Sequence, residues 1–372
     1  MIRSAIARFV VLLALATPLP SSAYPFDALY VLGDSLSDQG NLFGATTLAL
    51  GPANALPAAD HYFNGRFSNG PVYTDLLAQR LGLPLTPSLS GGNNFAYGGA
   101  RTAYNRVDAV PLGGPFPNPI FPWSLNAEVA AFSARGVQDS NALYIVFSGA
   151  NDIGDIVATR MNPATVIPST VNGILGAVDA FRLAGAKTIL VPNIPDLGLT
   201  PAFSFLGAPA TNPASIFSGQ FNQALHRALD AYDAMFDLNI IQFPTYDLFN
   251  SLVSNPGLFG LSNVTTPCYS GFVGPNPSGT ECSTPDRFLF WDIVHPTAAV
   301  HRILANAILV SVVPEPSTLA LLLVSMLGMG WCFRTYSKGS DRHGQPDSDQ
   351  YQRNSFLEHE VRAEPVGSQS SR

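Results

Sequence analysis

A hydroxyl, an imidazole and a carboxylate in this chain have the types and spacing to hydrolyse an ester. Ser35 follows Gly33-Asp34 at the end of an apolar run, and His295 follows Asp292 in Asp292-Ile293-Val294-His295-Pro296. Ester hydrolysis needs an activated hydroxyl, a base of near-neutral pKa and donors for the oxyanion. Ser35 can supply the hydroxyl. His295 can take its proton and then give it to the leaving alcohol. One tight turn can bring the Asp292 carboxylate to the other imidazole nitrogen, where it fixes the tautomer and stabilises the imidazolium. Each piece alone is weak evidence. A serine after Gly-Asp can be no more than a helix cap, and any two polar residues on one turn make Asp-x-x-His.

The elements that must position these groups read as a parallel α/β sheet. Ala28–Leu32, Ala142–Phe147, Thr188–Val191 and Asn239–Phe243 are short apolar runs of strand length. Residues 164–184 and 214–237 carry helix-length apolar periodicity. Continuous apolar strands separated by helices imply a parallel sheet covered on both faces. Ligands of such sheets bind beyond the carboxyl ends of the strands. Ser35 and Asn151 both lie just past such ends. The Pro/Gly-rich stretch Pro111–Pro122 reads as a long loop over the sheet.

Four blocks, in order, carry a resemblance. Gly33-Asp34-Ser35-Leu36-Ser37-Asp38-Gln39-Gly40-Asn41, Asn94–Ala100, Gly149-Ala150-Asn151-Asp152 and Asp292–Thr297 are similar to the blocks of the GDSL esterases and lipases, also called SGNH hydrolases. Gly65–Gly70 and Asn193–Gly198 match supporting stretches. The resemblance covers nearly the whole central domain and is nearest to the branch of plant, autotransporter and lecithinase-like esterases. It implies a single flavodoxin-like three-layer α/β domain, the catalytic residues Ser35, Asp292 and His295, and an acyl-enzyme intermediate. It also implies oxyanion donors from the Ser35 and Gly99 backbone N–H groups and the Asn151 amide. The register of Gly99 against its neighbour Gly98 rests on Asn94. A glycine there lets the acyl oxygen approach the backbone closely. The substrate class implied is carboxylic esters, with lipids or phospholipids favoured by the branch and by 24 phenylalanines available to line an acyl site. Two other readings of the chain are a deacetylase of surface polysaccharide and a non-catalytic anchored matrix protein on the same fold.

Composition narrows the classes. The net charge is −7, from 19 basic and 26 acidic residues, with no basic cluster. Nucleic-acid binding needs concentrated Lys and Arg, so it is disfavoured. Charged residues are 12% and apolar residues 47%, which excludes disorder of the whole chain. No Gly-x-Ser-x-Gly elbow, P-loop or Gly-x-Gly-x-x-Gly occurs, and no His, Cys and carboxylate cluster has metal spacing. No metal and no cofactor is therefore expected. His61, His226, His301, His343 and His359 are expected to be structural or solvated. Cys268 and Cys282 bracket a Pro-, Gly- and Ser-rich loop and could pair in an exported chain.

Both ends read as addresses. Residues 1–23 have the order of a secretory signal peptide: Arg3 and Arg8, an apolar run, then Ser21-Ser22-Ala23. Residues 24–312 form the hydrolase domain. Residues 313–334 resemble a PEP-CTERM sorting signal, with Pro314-Glu315-Pro316, the apolar run Ser317–Phe333 and Arg334. That resemblance implies an exosortase-type sorting protease as partner and a cell-surface or extracellular destination. A plain C-terminal membrane anchor is the other reading of the same helix. Such signals usually end soon after the arginine, whereas here a polar tail of 38 residues, 335–372, follows and is expected to be disordered.

Overall fold

In a computed structural model of the chain, the described residues are 25–102, 124–271, 273–274, 278–313 and Met326. The expected signal peptide, the Pro111–Pro122 loop, the Pro-Glu-Pro segment with its helix, and the polar tail lie outside them, apart from Met326. The chain divides after Pro314 into two units, and everything below concerns the first.

Four strands, β1 (Leu29–Gly33), β2 (Leu143–Phe147), β3 (Thr188–Pro192) and β4 (Asn239–Phe243), pair in that order. All three pairings are parallel. Outside β1 a single parallel bridge joins Val31 to Asn94. The alternation of side chains across a strand explains why the runs are continuously apolar. Leu32, Tyr144, Val146, Ile189 and Val191 enter one core with residues of helices α3 (Leu125–Ser133), α5 (Pro163–Leu183) and α7 (Ala208–Phe236). Leu29, Val31, Leu143, Ile145, Phe147 and Leu190 enter the other with α2 (Tyr73–Leu81) and α9 (Ala298–Val312). The domain is thus the expected three-layer α/β arrangement.

The remaining helices are α1 (Asn41–Leu50), α4 (Ala150–Thr159), the single turn α6 (Pro201–Ser204) and α8 (Thr245–Ser254). A second, two-stranded sheet pairs β5 (Asn263–Pro267) with β6 (Phe288–Phe290). The four expected strands lie within a residue of their sequence runs, and residues 164–184 match α5. Helix α7 begins six residues before the expected 214. Pro213 lies inside this helix, in its second turn, where it lacks the N–H for one backbone bond.

Two termini of the sheet set up the site. Gly33 ends β1 at the closest approach to β2: a Cβ there would lie 2.4 Å from the Phe147 carbonyl oxygen. Only glycine allows the strand ends to meet so closely. β6 leads through Trp291 into the Asp292–His295 turn, which α9 then anchors.

Candidate active site

Ser35 sits in the turn between β1 and α1, and His295 in the turn between β6 and α9. The Ser35 Oγ lies 2.9 Å from His295 Nε2. His295 Nδ1 lies 2.7 Å from Asp292 Oδ2. All three side chains are buried, with Asp292 1% exposed and Ser35 and His295 8%. Asp292 Oδ1 accepts the backbone N–H groups of Val294 at 2.9 Å and His295 at 2.7 Å. Its Oδ2 also accepts the Tyr62 hydroxyl at 2.6 Å. Burial works to raise this carboxyl, but the His295 charge and these hydrogen bonds outweigh it and hold Asp292 below the usual carboxylate range. An ionised Asp292 can only accept, so His295 Nδ1 must donate to it. Nε2 is then left as the acceptor of the Ser35 proton.

The Gly33–Asn41 block is a folded turn held by its own carboxylates. Asp34 Oδ1 accepts the Leu36 N–H at 3.1 Å, and the Asp34 carbonyl accepts the N–H groups of Ser37 and Asp38. Asp38 takes four backbone donors: Gly40, Asn41, Leu42 and Gly98. It therefore caps α1 and ties the Ser35 turn to the Asn94–Ala100 segment. Burial pushes both Asp34 and Asp38 up to about 6.

The three expected oxyanion donors are distinguished by what they leave unpaired. The Gly98 N–H is committed to Asp38 at 2.8 Å, and the Ala100 N–H to the Tyr97 carbonyl. Among the described residues no acceptor takes the N–H of Gly99 or of Ser35. Gly99 has φ 76°, a left-handed backbone that suits glycine. Asn151 lies at the start of α4, where its Nδ2 donates to the Ala100 carbonyl at 3.0 Å. The second amide hydrogen remains for another acceptor. An Arg101–Asp155 ion pair at 2.9 Å, with Arg101 Nη1 on the Gly99 carbonyl at 2.6 Å, fixes the far side of this segment.

The first supporting stretch braces the His295 turn. Ser68 Oγ donates to the Pro296 carbonyl at 2.9 Å, and Asn69 Oδ1 accepts the Ala298 N–H at 2.8 Å. The Phe67 ring lies 5.0 Å from the imidazole. Asn193 Oδ1 accepts the Tyr246 N–H, which joins β3 to α8 instead of reaching the site.

The other described histidines sit apart from the triad. His301 is buried on α9 and accepts the Tyr73 N–H at 3.2 Å through Nδ1. Burial, with the nearby His295 charge, lowers it to about 3, so it is neutral. His61 pairs with Glu281 across the fold, and His226 with Asp230 one turn along α7. The Cys268 and Cys282 sulfurs are joined.

Two residues absent from the sequence reading belong to the site's frame. Tyr62 is the fourth donor on Asp292. Glu128, 0% exposed on α3, accepts the Gly33 N–H at 2.8 Å and the Tyr97 N–H at 3.2 Å. Glu128 had a visible signal, a carboxylate on the same helical face as Leu125 and Phe132, both buried. Tyr62 had none, because its partner is 230 residues away.

Comparison with known proteins settles the lineage. Residues 29–308 match the family model described as GDSL-like Lipase/Acylhydrolase. The chain belongs to that family. Membership places it among lipases and acylhydrolases and agrees with the three-layer fold. A Pseudomonas putida protein, described as an uncharacterized protein in the trpE-trpG intergenic region, is 32% identical over 80% of this chain. The chain spans only 50% of that relative's length. A phosphatidylcholine-sterol acyltransferase of Aeromonas hydrophila is 27% identical over 79% of this chain and 92% of its own. Among solved structures, an acetylxylan esterase of Geobacillus stearothermophilus aligns over 78% of this chain and 95% of its own, with 14% identity and a TM-score of 0.40. That likeness is too loose to bear on substrate.

Proposed function

We propose that this family member is a serine esterase with Ser35 as nucleophile, His295 as general base and Asp292 as its orienting carboxylate. The observation that carries the reading is the continuous hydrogen-bonded chain from Ser35 Oγ through His295 to Asp292, at 2.9 and 2.7 Å. In acylation, Ser35 Oγ attacks the ester carbonyl while its proton passes to His295 Nε2. The carbonyl oxygen becomes an oxyanion facing the N–H groups of Ser35 and Gly99 and the second Asn151 amide hydrogen. Collapse breaks the bond to the alcohol, which leaves with the Nε2 proton. Water then repeats the cycle on the acyl-serine and releases the acid.

The substrate read here is a lipid or phospholipid ester. The name of the Aeromonas relative, an acyltransferase that uses phosphatidylcholine, supports a phospholipid acyl group. Ser35→Ala should abolish hydrolysis across a short-chain and long-chain ester series while leaving the fold intact. A serine-reactive phosphonate should label the wild type at Ser35. Labelling at another residue, or full activity in the alanine variant, rejects the assignment.

The same proposal extends to address. Residues 1–23 are read as a cleaved export signal, 24–312 as the exported hydrolase domain, and 313–334 as a sorting signal cut by an exosortase-type protease. The released form then ends near Pro316. Intact-mass measurement on protein from the native host decides this, since a mature species still carrying Arg372 would leave a plain membrane anchor.

A further inference from the structure

Asp292 Oδ2 is shared. It accepts His295 Nδ1 at 2.7 Å and the Tyr62 hydroxyl at 2.6 Å. Tyr62 lies in a loop far from Asp292 in sequence and is 3% exposed. Its ring is fixed by edge contacts to Phe67 at 6.4 Å, Tyr269 at 5.8 Å and Trp291 at 6.4 Å. Tyr269 and Trp291 stack on each other at 5.6 Å, and the Tyr269 N–H donates to the Trp291 carbonyl. The Cys268–Cys282 bond closes the segment carrying Tyr269, and the Ala58 N–H reaches the Val273 carbonyl in the same segment. The phenol is therefore held on the carboxylate from several sides.

We propose that Tyr62 is a positioning residue of the acid–base pair: its hydroxyl fixes the Asp292 carboxylate and weakens that carboxylate's hold on the His295 imidazolium. The proposal rests on the reading of Asp292 and His295 given above. A donor on Oδ2 draws charge from the oxygen that faces the imidazole. The imidazolium formed in acylation is then less stabilised, and it gives its proton to the leaving alcohol more readily. Burial and the Asp292 charge push the Tyr62 hydroxyl well above its ordinary value, so it remains a donor over the working range. The other ionisable groups with a charge interaction here are Asp34 and His301 toward His295, and Tyr269 toward Tyr62. His301 is neutral and Tyr269 is a phenol, whereas Asp34 is a further carboxylate with a charge interaction toward the imidazole.

The test is Tyr62→Phe in the full chain, which keeps the ring and removes only the hydroxyl. The His295 Cε1–H titration, read by NMR on resting enzyme and assigned by its loss in His295→Gln, should move to higher pH. The expected shift is roughly half a unit to one unit. The acid limb of kcat/KM should move with it. kcat should fall about three- to tenfold with KM unchanged, because an imidazolium held more tightly gives its proton to the leaving alcohol more slowly. An unmoved titration overturns the proposal even if kcat falls, because a packing role alone predicts that result. If the phenylalanine variant does not fold, Tyr62→3-fluorotyrosine supplies a stronger donor and should move the titration to lower pH. No movement there also overturns it. The resting titration needs no turnover, so it is independent of whether Ser35→Ala abolishes hydrolysis. Activity surviving in Ser35→Ala would sink the catalytic reading, while the titration judges Tyr62 separately.

Discussion

Asn151 spends one amide hydrogen on the Ala100 carbonyl, and that bond aims the other. The arrangement makes its role separable from substrate binding. The oxyanion carries full charge only near the transition state, so a donor aimed at it lowers the barrier more than it tightens the ground state. Asn151→Ala should therefore lower kcat by about 10²–10³ with little change in KM. Steady-state kinetics on one soluble ester measures both, and a change confined to KM would make Asn151 a substrate ligand instead. At this scale the sequence was informative where chemistry is contiguous. Asp292 and His295 are one turn apart, and Ser35 lies inside a nine-residue block. Gly99 was named over Gly98 from the resemblance, on a register resting on Asn94, and the Asp38 contact adds that the Gly98 N–H is already used. Tyr62 was illegible for a different reason: a tyrosine with no periodic or motif context gives no sign of what it will meet.

Helix α3 shows how an element can serve the site without touching substrate. Its Glu128 reaches across to the Gly33 and Tyr97 N–H groups, at the end of β1 and in the oxyanion segment. Burial, against those two bonds, raises this carboxyl well above the usual range, so the side chain is held at a cost. Glu128→Ala would strand two buried N–H groups, each worth roughly 1–3 kcal/mol, and leave a void. A loss on the order of 3 kcal/mol in urea unfolding is expected, with kcat reduced and Ser35 still labelled by phosphonate. Glu128→Gln, able to accept only one of the two donors well, should fall between. A variant as stable and active as wild type would show that the helix does not set this geometry. Strands β1 to β3 were legible as elements because burial on both faces demands unbroken apolar runs, whereas β5, with its exposed threonines, and the three-residue β6 were not read. Helices α1, α2 and α3 were not, since each is only nine or ten residues long. In so short a window the apolar periodicity is faint against loop composition.

For the whole molecule, the buried acids set an unusual pH balance. Burial raises Asp34, Asp38 and Asp152 to about 6. An unfolded aspartate titrates near ~3.9, so between these values the native state binds more protons. Stability should therefore rise as pH falls from about 7 toward about 4. Asp292 has the opposite sign, but its contribution is present above ~3.9 and is lost only below that; His301, lowered to about 3, also opposes the acids below ~6.5, where only the unfolded histidine takes a proton, so it offsets part of their gain. Urea midpoints should be higher at pH 5 than at pH 7.5, by on the order of 2 kcal/mol in unfolding free energy. A maximum at pH 7.5 would count against these carboxyls being so perturbed. Activity should run the other way, because the base must be uncharged to take the serine proton. The proposed nucleophile and base also stand 260 residues apart, one in the turn after β1 and the other just before α9. A ribosome adding roughly 5–20 residues per second makes Ser35 some 10–50 s before His295 exists. Through that interval the serine is an ordinary alcohol. A chain stalled or clipped before the Asp292–His295 turn carries the whole Ser35 turn and, on the proposed reading, no base to activate it, so the order of synthesis itself would withhold ester hydrolysis from an unfinished chain.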